Sequence, residues 1–210
     1  RHILSALGCE PVLIETSAQT RWALSPKALI AAHQRTPLKG VVIASPANPT
    51  GTMVDADALS RLISVAEAEG IRVISDEIYH GLDYAFAAET AASISEHAVV
   101  INSFSKYFCM TGWRIGWMIV PDNLVRTIDR LQGNLAISVP TLAQFAGEAA
   151  FDGREEMERS STDTKKTVVS CAMDCRKPAS TNSCRWTAPF ISTRISRDFQ
   201  PTVSTSPNAC

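Results

Sequence analysis

Four short apolar runs punctuate the first two thirds of the chain, and small or polar residues follow each one. Gly40–Ser45 (GVVIAS), Ile71–Ser75 (IRVIS), Ala98–Ile101 (AVVI) and Ile115–Val120 (IGWMIV) are too short for helices and continuous enough for buried strands. Pro11–Thr16 (PVLIET) reads as a further strand. The segments between them have helical signals. Ser25 is placed to cap a helix over Pro26–His33, with proline at its first position. Asp55 or Asp57 opens a second helix with Leu59, Leu62, Ile63 and Ala66 on one face, and Gly70 closes it. Asp122–Leu135 and Thr141–Phe151 also read as helices, and Arg1–Gly8 as a short helical or loop piece. Strands alternating with helices predict an α/β fold: a three-layer α/β/α sandwich around a mostly parallel sheet.

In such sheets ligands bind outside the carboxyl ends of the strands. The polar residues of interest follow those ends: Asn48 after one strand, Asp76 and Tyr79 after the next, Ser103 to Lys106 after the third. Taken singly, Asn48 can be a turn residue, Asp76 a helix cap and Tyr79 a half-buried aromatic. Their convergence around an embedded lysine points to a site. Lys106 stands between a hydroxyl-rich turn (Ser103, Ser105) and Thr111-Gly112-Trp113-Arg114. A lysine desolvated at the mouth of a sheet near a second cation such as Arg114 is expected to have a lowered pKa and to form an imine with a carbonyl compound. The plain alternative is a surface lysine on a β-turn.

Composition narrows the partners. A net charge of −1 gives no electrostatic case for nucleic acid or an anionic membrane. No apolar run approaches the roughly 20 residues that span a bilayer. With 45% hydrophobic residues in 210, the chain can bury a core of one or two domains. The six cysteines are too unevenly placed for a disulfide framework, and Cys171/Cys175 has no second pair or histidine for a metal. A reducing cytoplasm fits this usage. No signal peptide is evident, and the start at Arg1 within ordinary domain sequence suggests a fragment.

Three motifs, SPANPTG (Ser45–Gly51), SDEIY (Ser75–Tyr79) and SFSKYFCMTGWRIGW (Ser103–Trp117), resemble in letters, order and separation those of the class I/II pyridoxal-phosphate aminotransferases of fold type I, closest to the aspartate-aminotransferase-like branch. The resemblance covers about residues 1–158, a partial cofactor-binding large domain. It implies pyridoxal 5'-phosphate as cofactor and amino transfer between an L-amino acid and a 2-oxo acid. Lys106 resembles the lysine that holds the cofactor and moves the substrate's proton. Asp76 resembles the carboxylate paired with the pyridine nitrogen. Asn48 and Tyr79 resemble the donors to the ring's phenolic oxygen. Arg114 matches the phosphate-binding arginine, and Ser103 and Ser105 stand where the family places hydroxyl contacts to the phosphate. Trp113 and Trp117 are expected to pack rather than react. Intact relatives form their sites at a homodimer interface. The resemblance also leads us to expect an N-terminal arm, a phosphate-cradling loop and a ring-stacking aromatic ahead of Arg1, and a carboxylate-gripping arginine in a small domain.

Residues 159–210 depart from the family pattern. They contain no Leu, Gly or Tyr, and no apolar period persists. One reading is a disordered tail. A second takes each codon from the third base of one triplet and the first two of the next. Ser183–Phe199 can then read LPVDGAFYLYADISRF, which resembles the family's small-domain strand segment, and the residues after Glu158 read as an amphipathic helix. The expectation is a frameshift near codon 158, with no selected role for Arg185, Arg194 or Arg197.

Three functions therefore compete. The first is an aminotransferase, with the 210-residue chain alone expected to bind cofactor weakly and not turn over. The second keeps fold and cofactor but performs C–S elimination or aminocyclopropane-carboxylate synthesis. The third is a non-enzymatic cofactor-binding domain of a regulator, or a pseudogene product. Dicarboxylic, aromatic and small neutral amino donors are all left open.

Overall fold

The computed structural model describes residues 2–174. Its centre is a four-stranded sheet of β1 (Gly40–Ala44), β2 (Arg72–Asp76), β3 (Val99–Ser103) and β4 (Gly116–Ile119), side by side in chain order. β1, β2 and β3 are parallel, and β4 returns antiparallel to β3. The helices are α1 (His2–Ala6), α2 (Pro26–Arg35), α3 (Ala56–Ala68), α4 (Ala91–Ile94), α5 (Asp122–Leu135), α6 (Thr141–Ala150) and α7 (Arg154–Asp174). This is the α/β class with a mostly parallel sheet.

Local chemistry sets the helix ends. The Ser25 hydroxyl accepts the Ala28 N–H at 3.2 Å, and Pro26 occupies the first turn of α2, where a missing N–H costs nothing. Between the two candidate starts of α3 the structure selects Asp55, whose Oδ1 accepts the Ala58 N–H at 2.8 Å. Past α3, Gly70 takes φ +68°, a left-handed conformation that glycine adopts without a Cβ clash.

Alternation along the strands sorts their side chains between two faces. Val41, Ile43, Val73 and Val100 form one buried cluster with Leu29 of α2 and Leu59, Leu62 and Ile63 of α3. Full burial of one such aliphatic side chain is worth about 1.5–3 kcal/mol. On the opposite face Val42, Ile101 and Met118 are 57%, 38% and 47% exposed, so among the described residues helices cover this part of the sheet on one side.

Pro11–Thr16 is not a strand. Among the described residues its backbone makes no hydrogen bond to a neighbouring segment. Ile14 packs against the core cluster while Leu13 is exposed, so the alternation reflects an extended loop lying on the core rather than a sheet edge. The expected division between residues 158 and 159 falls inside α7, which continues as one helix to Asp174. The rest of the expected tail, with the arginines at 185, 194 and 197, lies outside the described residues.

Candidate functional site

The strand register assembles the site. Ala44 on β1, Asp76 on β2 and Ile101 on β3 are register partners in one row across the sheet. The turns that follow carry Asn48, Tyr79 and Lys106 out of that row on the same carboxyl-end rim. This is the juxtaposition expected from the apolar runs, and it depends on β1, β2 and β3 being parallel.

The Asn48 turn is held internally. The Ala47 N–H donates to the Thr52 carbonyl at 2.9 Å, and the Gly51 N–H to the Ala47 carbonyl at 2.7 Å. Gly51 sits at φ +65°. The Val54 N–H donates to the Ser45 hydroxyl at 3.0 Å. Asn48 itself is exposed, and its side-chain amide has no hydrogen-bond partner among the described residues.

Asp76 ends β2. Its Oδ1 accepts the Ile78 N–H at 3.2 Å, an Asx-type turn that leaves Oδ2 uncommitted among the described residues. Tyr79 is 9% exposed, and its ring lies 5.4 Å from the Lys106 Nζ. That cation–ring approach joins the turn after β2 to the turn after β3.

Beyond β3 the polar residues form one linked cluster. The Ser103 hydroxyl donates to the Ser105 hydroxyl at 2.9 Å and accepts the Ser105 N–H at 3.0 Å. The Thr111 hydroxyl donates to the Ser105 carbonyl at 2.6 Å, and the Arg114 Nη1 donates to the Thr111 carbonyl at 2.9 Å. Arg114 is left-handed at φ 53° and exposed. Two hydroxyls and a guanidinium are thus tied to one loop, the donor set that suits a phosphate.

Aromatic packing fixes this loop from behind. Phe104, 5% exposed, lies 4.8 Å from Phe108, 4.9 Å from Trp117 and 5.3 Å from Phe151 between ring centroids. Trp117 therefore packs, as expected. Trp113 does not join this group and is 47% exposed.

Two residues of the site escaped the sequence reading. Glu77 is 2% exposed, and its Oε1 accepts the Ala91 N–H at 2.8 Å. His80 has Nδ1 3.4 Å from the Glu77 carboxylate and Nε2 3.0 Å from the Ser45 carbonyl. An acidic residue directly after Asp76 at a strand end was the available signal for Glu77; the Ser45 acceptor of His80, 35 residues away, leaves none.

Comparison with known proteins identifies the family. The family model for aminotransferase class I and II matches residues 1–178, and the chain belongs to that family. A valine–pyruvate aminotransferase of Mycobacterium tuberculosis is 51% identical over 153 residues, which are 72% of this chain and 39% of that protein. An aspartate aminotransferase of Geobacillus stearothermophilus is 36% identical over 155 residues, 71% of this chain and 39% of its own length. Among solved structures, an aminotransferase from Mycobacterium tuberculosis superposes with a TM-score of 0.69 at 47% identity, covering 77% of this chain and 43% of that one. An aspartate aminotransferase of Thermus thermophilus, a single mutant, superposes at 0.72 with 26% identity over 82% of this chain and 45% of its own. The chain spans somewhat less than half the length of these relatives.

Proposed function

We propose that this chain carries the cofactor-binding centre of a pyridoxal-phosphate-dependent aminotransferase. The observation that carries the reading is the approach of Lys106 to Tyr79, 5.4 Å from amine to ring centroid, with an uncommitted Asp76 oxygen at the end of β2 and the Ser103–Arg114 cluster in the loop that bears Lys106. The donor set fits the cofactor group by group. The Asp76 Oδ2 suits a protonated ring nitrogen. The Asn48 amide and the Tyr79 hydroxyl suit a phenolic oxygen. Ser103, Ser105 and Arg114 suit a phosphate, and Lys106 supplies an amine for an aldehyde carbon. When bound, the cofactor supplies an electron sink for the substrate's α-carbon. Lys106, once free, is the base that takes the α-proton and returns it. Asp76 would hold the ring nitrogen through its second carboxylate oxygen.

For substrates we propose a small neutral donor such as valine, with pyruvate as acceptor. The 51% identity to the valine–pyruvate enzyme against 36% to the aspartate enzyme supports it. The lyase, synthase and regulator alternatives gain no support from the relatives described above. We place the protein in the cytoplasm and expect the whole enzyme to be a homodimer. Among the described residues Cys9 and Cys109 are exposed and form no disulfide, and no described helix is long and apolar enough to cross a membrane. For the tail we propose the shift of reading frame expected near codon 158, although the family model matches as far as residue 178. With suitable third bases, the shifted frame can read Ser183–Phe199 as a segment that resembles the family's small-domain strand.

The direct test is to incubate the 210-residue chain with excess pyridoxal phosphate, reduce with borohydride and map the modified peptide. Labelling confined to Lys106 is the expected result. Labelling spread over surface lysines, unchanged when Lys106 is replaced, would overturn the proposal.

A further inference from the structure

The geometry assigns His80 a positioning role: its ring is the strut that sets the spacing between the turn bearing Asn48 and the turn bearing Tyr79. The assignment rests on the cofactor reading only for what the spacing is for, since those two side chains are there proposed to meet one oxygen atom.

His80 directly follows Tyr79, and its side chain is 18% exposed. Nε2 lies 3.0 Å from the Ser45 carbonyl, at the start of the turn that leads to Asn48. A carbonyl oxygen accepts and never donates, so Nε2 carries a proton in this bond. On the other side, Nδ1 faces the Glu77 carboxylate at 3.4 Å. Glu77 is a fixed anchor. Its own N–H donates to the Ile101 carbonyl of β3 at 2.8 Å, and its Oε1 takes the Ala91 N–H at the start of α4 at 2.8 Å. One imidazole thus runs from a buried carboxylate, braced on β3 and α4, to the carbonyl beyond β1.

The backbone beneath is weaker at this point. The Ser45 N–H reaches the Asp76 carbonyl at 3.4 Å, long for a sheet bond, so the ladder between β1 and β2 is loosening where the two turns begin. Two other bonds of the Asn48 turn, Ala47 to Thr52 and Gly51 to Ala47, close on the turn itself. They fix its shape but not its distance from Tyr79. The His80 bond spans that distance.

The test is amide hydrogen exchange on the full 210-residue chain without cofactor, for His80→Phe and His80→Gln. Phe fills the space of the ring with no donor; Gln keeps an N–H for the Ser45 carbonyl. In His80→Phe, exchange across residues 45–54 should rise about tenfold, the loss of one hydrogen bond, while α3 stays at the parent rate. His80→Gln should bring residues 45–54 most of the way back. Unchanged exchange in His80→Phe, a rise spread equally over α3 and β2, or no recovery with Gln would each overturn the strut. If His80→Phe does not fold, nitrogen-15 spectra of the parent chain decide: a protonated Nε2 coupled to the Ser45 carbonyl supports the role, and a bare Nε2 overturns it. Borohydride trapping at Lys106 is read separately, so failure of the cofactor reading appears there and failure of the strut in the exchange rates.

Discussion

The Lys106 Nζ sits 5.4 Å from the centroid of the Tyr79 ring, across the gap between two turns that are distant in sequence and neighbours in the sheet. The ring gives the ammonium a partly apolar neighbour, and the parallel pairing of β2 with β3 brings the two together. A partly exposed cation–ring contact is worth only about 0.5–1 kcal/mol, so the arrangement follows from the sheet rather than building it. Loss of the cation–ring contact in Lys106→Ala is therefore expected to account for no more than about 1 kcal/mol of any change in unfolding free energy in urea. The same change should abolish borohydride trapping of pyridoxal phosphate. Lys106→Arg should keep the charge beside the ring and lose the trapping equally.

Asp76 separates binding from folding in the same way. Its Oδ1 bond to the Ile78 N–H can be kept by an asparagine carbonyl. Charge opposite a protonated ring nitrogen cannot. A hydrogen bond to a charged partner contributes about 1.5–3 kcal/mol, so Asp76→Asn should weaken pyridoxal phosphate binding by roughly ten- to a hundredfold. The thermal midpoint should stay near that of the parent chain. Equilibrium titration beside a thermal melt checks both halves.

The Tyr84 hydroxyl offers a test away from the site. It is buried without a hydrogen bond of good geometry among the described residues. Burial pushes its pKa above the ordinary 10.0, the Ser161 and Thr164 hydroxyls offset part of this, and the Asp83 charge adds to it. With a pKa raised by folding, the folded state holds more protons than the unfolded chain above pH 10, so stability falls as pH rises from there through the folded pKa. Below that window the contribution is fully present. Tyr84→Phe removes both the titration and the unpaired hydroxyl. It should match or exceed the parent at neutral pH, by up to about 1 kcal/mol, and lose less stability at alkaline pH. Urea unfolding at neutral and alkaline pH measures it.

Large apolar side chains stand out of the surface from the end of α5 into α6. Leu135, Ile137, Leu142 and Phe145 are 77%, 85%, 77% and 65% exposed. An apolar stretch of this kind on a single chain promotes association. The purified chain should give an apparent mass that grows with concentration in light scattering, and Leu142→Lys with Phe145→Lys should reduce that growth. A sharp monomer at all concentrations would remove this support for a dimer surface.

What could be read in advance was whatever depends on local spacing. β1, β2 and β3 announced themselves as short apolar runs, α5 has the bounds its periodicity predicted, and Asp55 caps α3 because a carboxylate there reaches Ala58. Pro11–Thr16 misled because alternation marks a half-buried extended segment whether or not a partner strand lies beside it. His80 was invisible because its acceptor, the Ser45 carbonyl, is 35 residues away. The helix past residue 158 was missed because no apolar stripe draws it. Its turns are held by polar contacts along the chain, Lys166 to Asp163 at 2.9 Å and the Thr164 hydroxyl to the Ser160 carbonyl at 2.9 Å. The Ser161 hydroxyl adds one contact back to the Gly81 carbonyl at 3.1 Å.

The reading-frame proposal yields the last prediction, and it also decides where specificity can be measured. The three motifs that match the family all end by Trp117, and the chain covers 39% of the valine–pyruvate enzyme it resembles. Groups that read the donor's side chain and grip its carboxylate are therefore expected beyond this chain's family-like part, so the 210-residue protein should show no turnover with any donor. Resequencing the coding DNA from codon 150 onward should reveal a missing or extra base near codon 158. Restoring that frame, together with the upstream coding sequence, should give a protein that transaminates valine with pyruvate faster than aspartate with a dicarboxylic 2-oxo acid. A confirmed frame as written would overturn the shift. A restored protein that prefers aspartate would retain the aminotransferase and overturn the small neutral donor.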